Sequence, residues 1–154
     1  MQLDTITELL NIPNYKVTHI VQQTPECLHF VLAQIKWSTP ICSGCGRTHH
    51  SPIHCTQRVV VEDLQICGKR VFLHVLKRKS WCPEDDTIRV ETIDWVKGRF
   101  TRRFADHVYR LTAITTNQEA GWYLGLDDET VYRIDRAMLE ERALLKLDPV
   151  PVPT

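Results

Sequence analysis

The chain has 154 residues, is 43% hydrophobic and 25% charged, and balances Lys+Arg against Asp+Glu at 19 each. That length allows one ordinary domain or two small ones, and the composition is that of a soluble globular protein rather than a disordered or fibrous one. No apolar run approaches the length of a membrane span and no basic, then apolar, leader opens the chain, so an intracellular protein is expected.

In chain order, "LDTITELLNIP" predicts a short helix closed by Pro13. "YKVTHIVQQ" and "CLHFVLAQIKW" alternate apolar and polar residues around "TPE", the pattern of a β-hairpin. "CSGCGRTHHSPIHC" is a loop rich in metal-ligand side chains, and two strand-like runs follow it, "RVVVEDLQI" and "KRVFLHVLKRKSW", turning at Cys67-Gly68. "CPEDD" interrupts the pattern before a further extended piece, "IRVETIDW".

From about residue 100 the period becomes helical. Phe104, Val108 and Leu111 fall on one face, with Thr101 as the expected N-cap. Thr116 and Glu119 form a capping box for a second helix that stops at Gly125. A third begins after Asp127, with Val131, Ile134 and Met138 on its apolar stripe. The tail "DPVPVPT" alternates prolines, which lack backbone donors, and reads as a linker or the cut end of something longer.

The six cysteines carry the first chemical signal. A disulfide framework needs a secreted context, whereas clustered Cys and His in a reduced compartment point to metal. Cys42-x-x-Cys45-Gly has the spacing that lets two thiolates converge on one ion. Cys82, at the end of a strand and before a proline, supplies a third ligand. Position 85 is Asp where a second Cys-x-x-Cys would end, so the fourth ligand is Asp85 or, alternatively, His50, His54 or Cys55. The role expected is structural zinc; buried free thiols are the alternative. Cys27 and Cys67 read as small core residues.

The balanced charge hides an asymmetry. Residues 42–110 hold thirteen basic against eight acidic side chains, and "KGRFTRR" concentrates Lys97, Arg99, Arg102 and Arg103 with no acid among them. Placed just before a helix pair, this run is either a solvated surface or a set of phosphate contacts. Two helices joined by a short turn form a helix-turn-helix, which needs a small residue in its first helix and a turn glycine. Gly121 and Gly125 meet that need. Thr130, Arg133 and Arg136 face away from the apolar stripe, with Arg133 the first candidate for a base edge. The competing reading makes Glu129–Arg133 and Arg136–Glu140 ordinary surface pairs.

Together, "GRFTRRFADHVYRLT", "EAGWYLGLDDETVYRI", "CSGCG" and the strand pair ending in "SWCP" resemble the N-terminal part of insertion-sequence transposases of the ISL-three type. The resemblance runs from about "ITELLNIP" to "RIDRAM". It implies zinc on Cys42, Cys45 and Cys82, and double-stranded DNA as partner, specifically the terminal inverted repeats of a mobile element. It also implies a bacterial, nucleoid-associated protein in the cytoplasm, with a homodimer left open. The family's catalytic part, with three metal-binding carboxylates, would follow the proline-rich tail, so no catalytic residue is expected in this chain.

The expected fold class is α+β, a small β-rich zinc-ribbon-like N-terminal region followed by a three-helix helix-turn-helix domain. The expected division is a zinc-binding region over 1–95, a DNA-binding domain over 96–148 and a tail over 149–154. The rival reading is a stand-alone zinc-ribbon regulator acting through protein contacts.

Overall fold

A computed structural model of the chain describes residues 2–147; the expected tail over 149–154 lies outside the described residues. The class is α+β, with a mixed eight-stranded sheet and four helices among the described residues. Contacts divide the chain into two compact units, Met1–Thr101 and Arg102–Thr154.

The first unit opens with α1 (Leu3–Leu10), whose chain leaves through Asn11 in the left-handed region, φ 48°. Asn tolerates that conformation better than most residues because its short amide bonds locally. Strands β1 (Tyr15–Gln23) and β2 (Cys27–Gln34) form the expected hairpin. The two long strands are β4 (Ile53–Ile66) and β5 (Lys69–Cys82), joined at Cys67-Gly68, where both residues have positive φ. Cys67 is therefore exposed at a turn rather than in the core, and Cys27 is half-buried. A strand tip leaves no room beneath it for burial.

Strand β5 organises the unit. One of its edges pairs with β4 along nearly the whole length. Its other edge is shared: residues Arg70–His74 pair in parallel with β2, and Lys79–Cys82 pair antiparallel with β6 (Thr87–Thr92). The two halves of β5 thus serve different ends. Near β2, alternate residues Val71, Leu73 and Val75 turn inward and are almost fully buried with Ile6, Leu10, Phe30, Leu32 and Val61. Burying each such side chain is worth about 1.5–3 kcal/mol. Near β6 the strand carries Lys77, Arg78 and Lys79 and ends at Cys82, beside the two-residue strand β3 (Ile41–Cys42), which pairs with β6.

The short strands β7 (Val96–Lys97) and β8 (Phe100–Thr101) pair with each other, and β8 joins β4 at Glu62. Thr101 Oγ1 donates a 2.7 Å hydrogen bond to the buried Asp63 carboxylate.

The second unit contains α2 (Arg102–Thr112), α3 (Asn117–Leu124) and α4 (Asp128–Leu147). The capping box at Thr116 and Glu119 is formed, and Gly125 closes α3 at φ 73°. Asp127 Oδ1 accepts from the Thr130 N–H at 2.6 Å, capping α4. The core of the unit is Phe104, Ala105, Val108, Ala120, Leu124, Val131, Ile134 and Met138, which includes Phe104 and Val108 and the stripe Val131, Ile134 and Met138 expected from the sequence. Leu111, expected on that face, is only half-buried. α2 and α4 are laced by Arg102–Glu141 at 2.8 Å, Arg142–Asp106 at 2.7 Å and Thr112–Asp135 at 2.7 Å. None of the helices among the described residues is long and apolar enough to cross a membrane.

Candidate metal centre and placement of the basic residues

The metal centre is built where β3, β5 and the loops after them meet. Cys42 ends β3 and Cys82 ends β5, so two backbones already fixed by sheet pairing bring two buried thiols together. The first knuckle is a tight turn: the Gly46 N–H donates to the Cys42 carbonyl at 2.9 Å, with Gly46 at φ 73°. The Gly44 N–H points at Cys42 Sγ from 3.3 Å, a bond that favours thiolate over thiol. The second knuckle repeats the device, with the Asp86 N–H on the Cys82 carbonyl at 2.9 Å and Asp86 at φ 56°.

Four residues converge here: Cys42, Cys45, His49 and Cys82, one ligand atom each, all within 4.8 Å of one another. His49 Nε2 lies 3.0 Å from Cys45 Sγ. Ligands roughly 2.0–2.3 Å from a tetrahedral ion stand roughly 3.3–3.8 Å apart, so this donor set encloses a space that one zinc ion fills. Three thiolates and one imidazole leave no position for water, the pattern of a structural rather than a catalytic site. The centre fits structural zinc, which stabilises a region whose apolar core lies at the other end of β5.

Burial pushes the Cys42 thiol up, but backbone hydrogen bonds from Cys45 and Gly44, with His49 and Cys82 alongside, outweigh it and lower the pKa to about 7. The Cys45 thiol is raised, chiefly by burial and then by the neighbouring Cys42 and Cys82 sulfurs. Cys42 is therefore the more acidic of these two thiols, and binding a divalent cation requires both to be deprotonated.

The fourth member of the cluster differs from each candidate named from the sequence. Asp85 Oδ2 is 2.9 Å from Arg89 Nε and lies over Gly44, outside the cluster, and His50, His54 and Cys55 do not join it either. His54 and Cys55 are carried off on β4. His49 enters because the chain doubles back after Gly46, with Cys42 N–H bonded to the Arg47 carbonyl at 2.8 Å. In the sequence His49 is marked only by the Cys45-x-x-x-His49 spacing, one residue before the candidate His50.

Residues 38–85 match the family described as the zinc-finger of transposase IS204/IS1001/IS1096/IS1165. This segment is similar to the zinc fingers of those transposases. The chain is 32% identical over 102 residues to the transposase for insertion sequence element IS1001 of Bordetella parapertussis. That alignment covers 64% of this chain and 25% of the relative, so the chain spans about a quarter of the transposase it matches. No solved structure matches. The zinc-binding segment is thus similar to the zinc fingers of these transposases, in line with the resemblance carried by "CSGCG".

The basic residues named from the sequence are distributed over several elements. Lys97 is in β7, and Arg99, exposed in the β7–β8 turn, offers its carbonyl to the Glu62 N–H at 2.9 Å. Arg102 and Arg103 open α2, the first exposed and bonded to Glu141, the second half-buried. On α4, Thr130 is half-buried, and Arg133 and Arg136 are exposed and paired with Glu129 and with Glu140 at 3.2 Å respectively. Arg136 also donates to the Tyr132 hydroxyl at 2.8 Å.

Proposed function

We propose that the chain is the DNA-recognition part of a transposase: a zinc ribbon followed by a helix-turn-helix made of α3 and α4, with α2 as its supporting helix. The observation that carries this is the junction of α3 and α4. The Leu126 N–H bonds the Gly121 carbonyl at 2.8 Å, and a Cβ on Gly121 would sit 2.5 Å from the Leu126 carbonyl oxygen. Only a glycine lets the turn come so close, and the result is a short helix set against the buried stripe of a longer one. The opposite face of the longer helix presents Arg133 and Arg136 to solvent.

Their ion pairs do not oppose the reading. All four side chains are more than 60% exposed, and such pairs are worth little in water, so phosphate or a base edge competes easily. In this reading Arg133 reads a base edge, with Thr130 and Arg136 beside it, and Lys97, Arg99, Arg102 and Arg103 contact phosphates. DNA recognition belongs to residues 96–148 and zinc binding to 1–95. The duplex is the terminal inverted repeat of the mobile element, met as a homodimer or as one subunit per repeat in the bacterial nucleoid. Strand cleavage belongs to the remainder of a full-length transposase.

A gel shift with a terminal-repeat duplex and a scrambled duplex tests this. Arg133→Ala reduces discrimination between them, whereas Arg103→Ala weakens binding to both. Equal affinity of the unaltered protein for both duplexes at every salt concentration defeats sequence reading.

One observation favours a second reading, a regulator working through protein contacts. α3 exposes Trp122 at 86% and Tyr123 at 65%, more apolar surface than a solvated helix needs. Trp122→Ala separates the two: a regulator loses its protein partner and the DNA reader keeps its duplex affinity.

A further inference from the structure

The face of β5 that buries Val71, Leu73 and Val75 continues past the core as Lys77, Lys79 and Trp81. Side chains two apart on a strand share a face, and so do residues directly opposite across an antiparallel ladder. Gln57 and Cys55 of β4 stand opposite Lys77 and Lys79, and Val90 and Ile88 of β6 stand opposite Lys79 and Trp81. A three-stranded surface therefore presents these residues together. Trp81 is 43% exposed, Gln57, Cys55 and Ile88 are exposed, and the two lysines are half-buried. Around Lys79 the surface borders a hollow of about 530 Å³.

Charge is sorted between the two sides of this sheet. The opposite side carries Arg78, Ser80, Cys82, Arg89 and Glu91, and its charges are matched, Arg78 by Glu91 at 2.8 Å and Arg89 by Asp85 at 2.9 Å. Along residues 55–59, 77–81 and 88–90 the side of Lys77 and Lys79 holds no carboxylate. Neither lysine makes an ion pair among the described residues, and Trp81 stacks on no other ring among them. Glu84 and Asp85, which follow Trp81 in the chain, are held by Arg47 and Arg89.

An exposed indole in line with two unmatched ammonium groups suits a ligand that offers flat rings and negative charge along one extended chain. Lys77, Lys79 and Trp81 follow one another at about 6.5–7 Å, close to the step of an extended nucleic-acid strand. In a duplex the bases cover one another's faces, whereas a single strand leaves them open to an aromatic side chain. We propose that this surface binds single-stranded nucleic acid, with a base stacked on Trp81 and backbone phosphates on Lys77 and Lys79. The proposal uses no residue of the helical unit and stands apart from the reading of α4.

The test titrates the zinc-loaded chain with oligothymidine, with its duplex with oligoadenosine, and with inorganic polyphosphate. Trp81→Ala weakens oligothymidine binding about tenfold or more, and Trp81→Phe, which keeps a ring, recovers most of it. Lys77→Gln and Lys79→Gln each lower the salt slope for oligothymidine by about 0.7. Trp81→Ala leaves the duplex and polyphosphate affinities unchanged, because neither offers an open base. Arg133→Ala leaves oligothymidine binding unchanged, which separates this surface from α4. Zinc content, measured in every variant, shows that the fold around Cys82 is intact; should Trp81→Ala lose zinc, Trp81→Phe and the lysine variants carry the test. Oligothymidine affinity equal in the wild type and Trp81→Ala, or a salt slope unchanged in both lysine variants, overturns the proposal. So does a loss in Trp81→Ala as large for the duplex or polyphosphate as for the single strand.

Discussion

The carbonyl oxygen of Leu126 stands 2.5 Å from the point where a Cβ on Gly121 would lie, and the same turn returns a hydrogen bond of 2.8 Å from the Leu126 N–H to Gly121. Glycine inside a helix costs about 1 kcal/mol relative to alanine. Here that cost is outweighed, because any side chain would push the turn out of contact.

Gly121→Ala is therefore expected to destabilise the second unit by about 1–3 kcal/mol, although alanine is the better helix former. Thermal unfolding followed by circular dichroism checks the sign. A gain in melting temperature would show that the turn relaxes freely and that the close approach has no role.

The same unit depends on its capping box. Thr116 accepts from the Glu119 N–H at 3.2 Å while the Glu119 carboxylate reaches the Thr116 N–H. Thr116→Ala should cost about 1 kcal/mol. Hydrogen bonds from Thr115 and Thr116 hold the Glu119 pKa below its ordinary value. Its contribution is present above the unfolded-state pKa and is lost as pH falls through the folded one. A pH series of melting temperatures, compared with Glu119→Gln, should show the two proteins converge in acid.

The metal centre separates two residues that the sequence alone does not. His49→Ala should lower zinc content or affinity, while Asp85→Asn should keep the zinc, because Asp85 bonds Arg89 and stands outside the cluster. Elemental analysis after dialysis against a chelator measures both. Full zinc in His49→Ala together with loss in Asp85→Asn would reverse the ligand assignment.

Zinc retention should also depend on pH. The Cys42 thiol, lowered to about 7, is thiolate above that value and protonated below it, and Cys45 needs a higher pH still. Proton competition therefore weakens the metal as pH falls from 8 to 6. In the metal-free protein the stability tied to the Cys42 thiolate is present above the unfolded thiol pKa and is lost as pH falls through about 7. Chelator competition at pH 8 and pH 6 checks the first statement; equal affinity at both would contradict it.

Much of the molecule was legible because local signals and tertiary packing agree. The hairpin, the turn at Cys67-Gly68, the capping box and the stripe Val131, Ile134, Met138 were all carried by period and cap residues. The shared edge of β5 was not, since parallel pairing with β2 leaves no mark in either strand's alternation. The same blindness hid His49. Which histidine reaches a metal depends on how the loop folds back after Gly46, a matter of turn geometry rather than of residue type. Cys67 misled because a thiol looks apolar in sequence, whereas a strand tip has nothing to bury it.

The central claim, that α4 reads a duplex through Arg133, is tested most directly by selecting bound sequences from a random duplex library. The account predicts that the zinc-loaded protein enriches one motif, matching the ends of the mobile element, and that Arg133→Ala loses specificity at one or two positions of it. A flat library after selection, or an identical motif from Arg133→Ala, would contradict the claim.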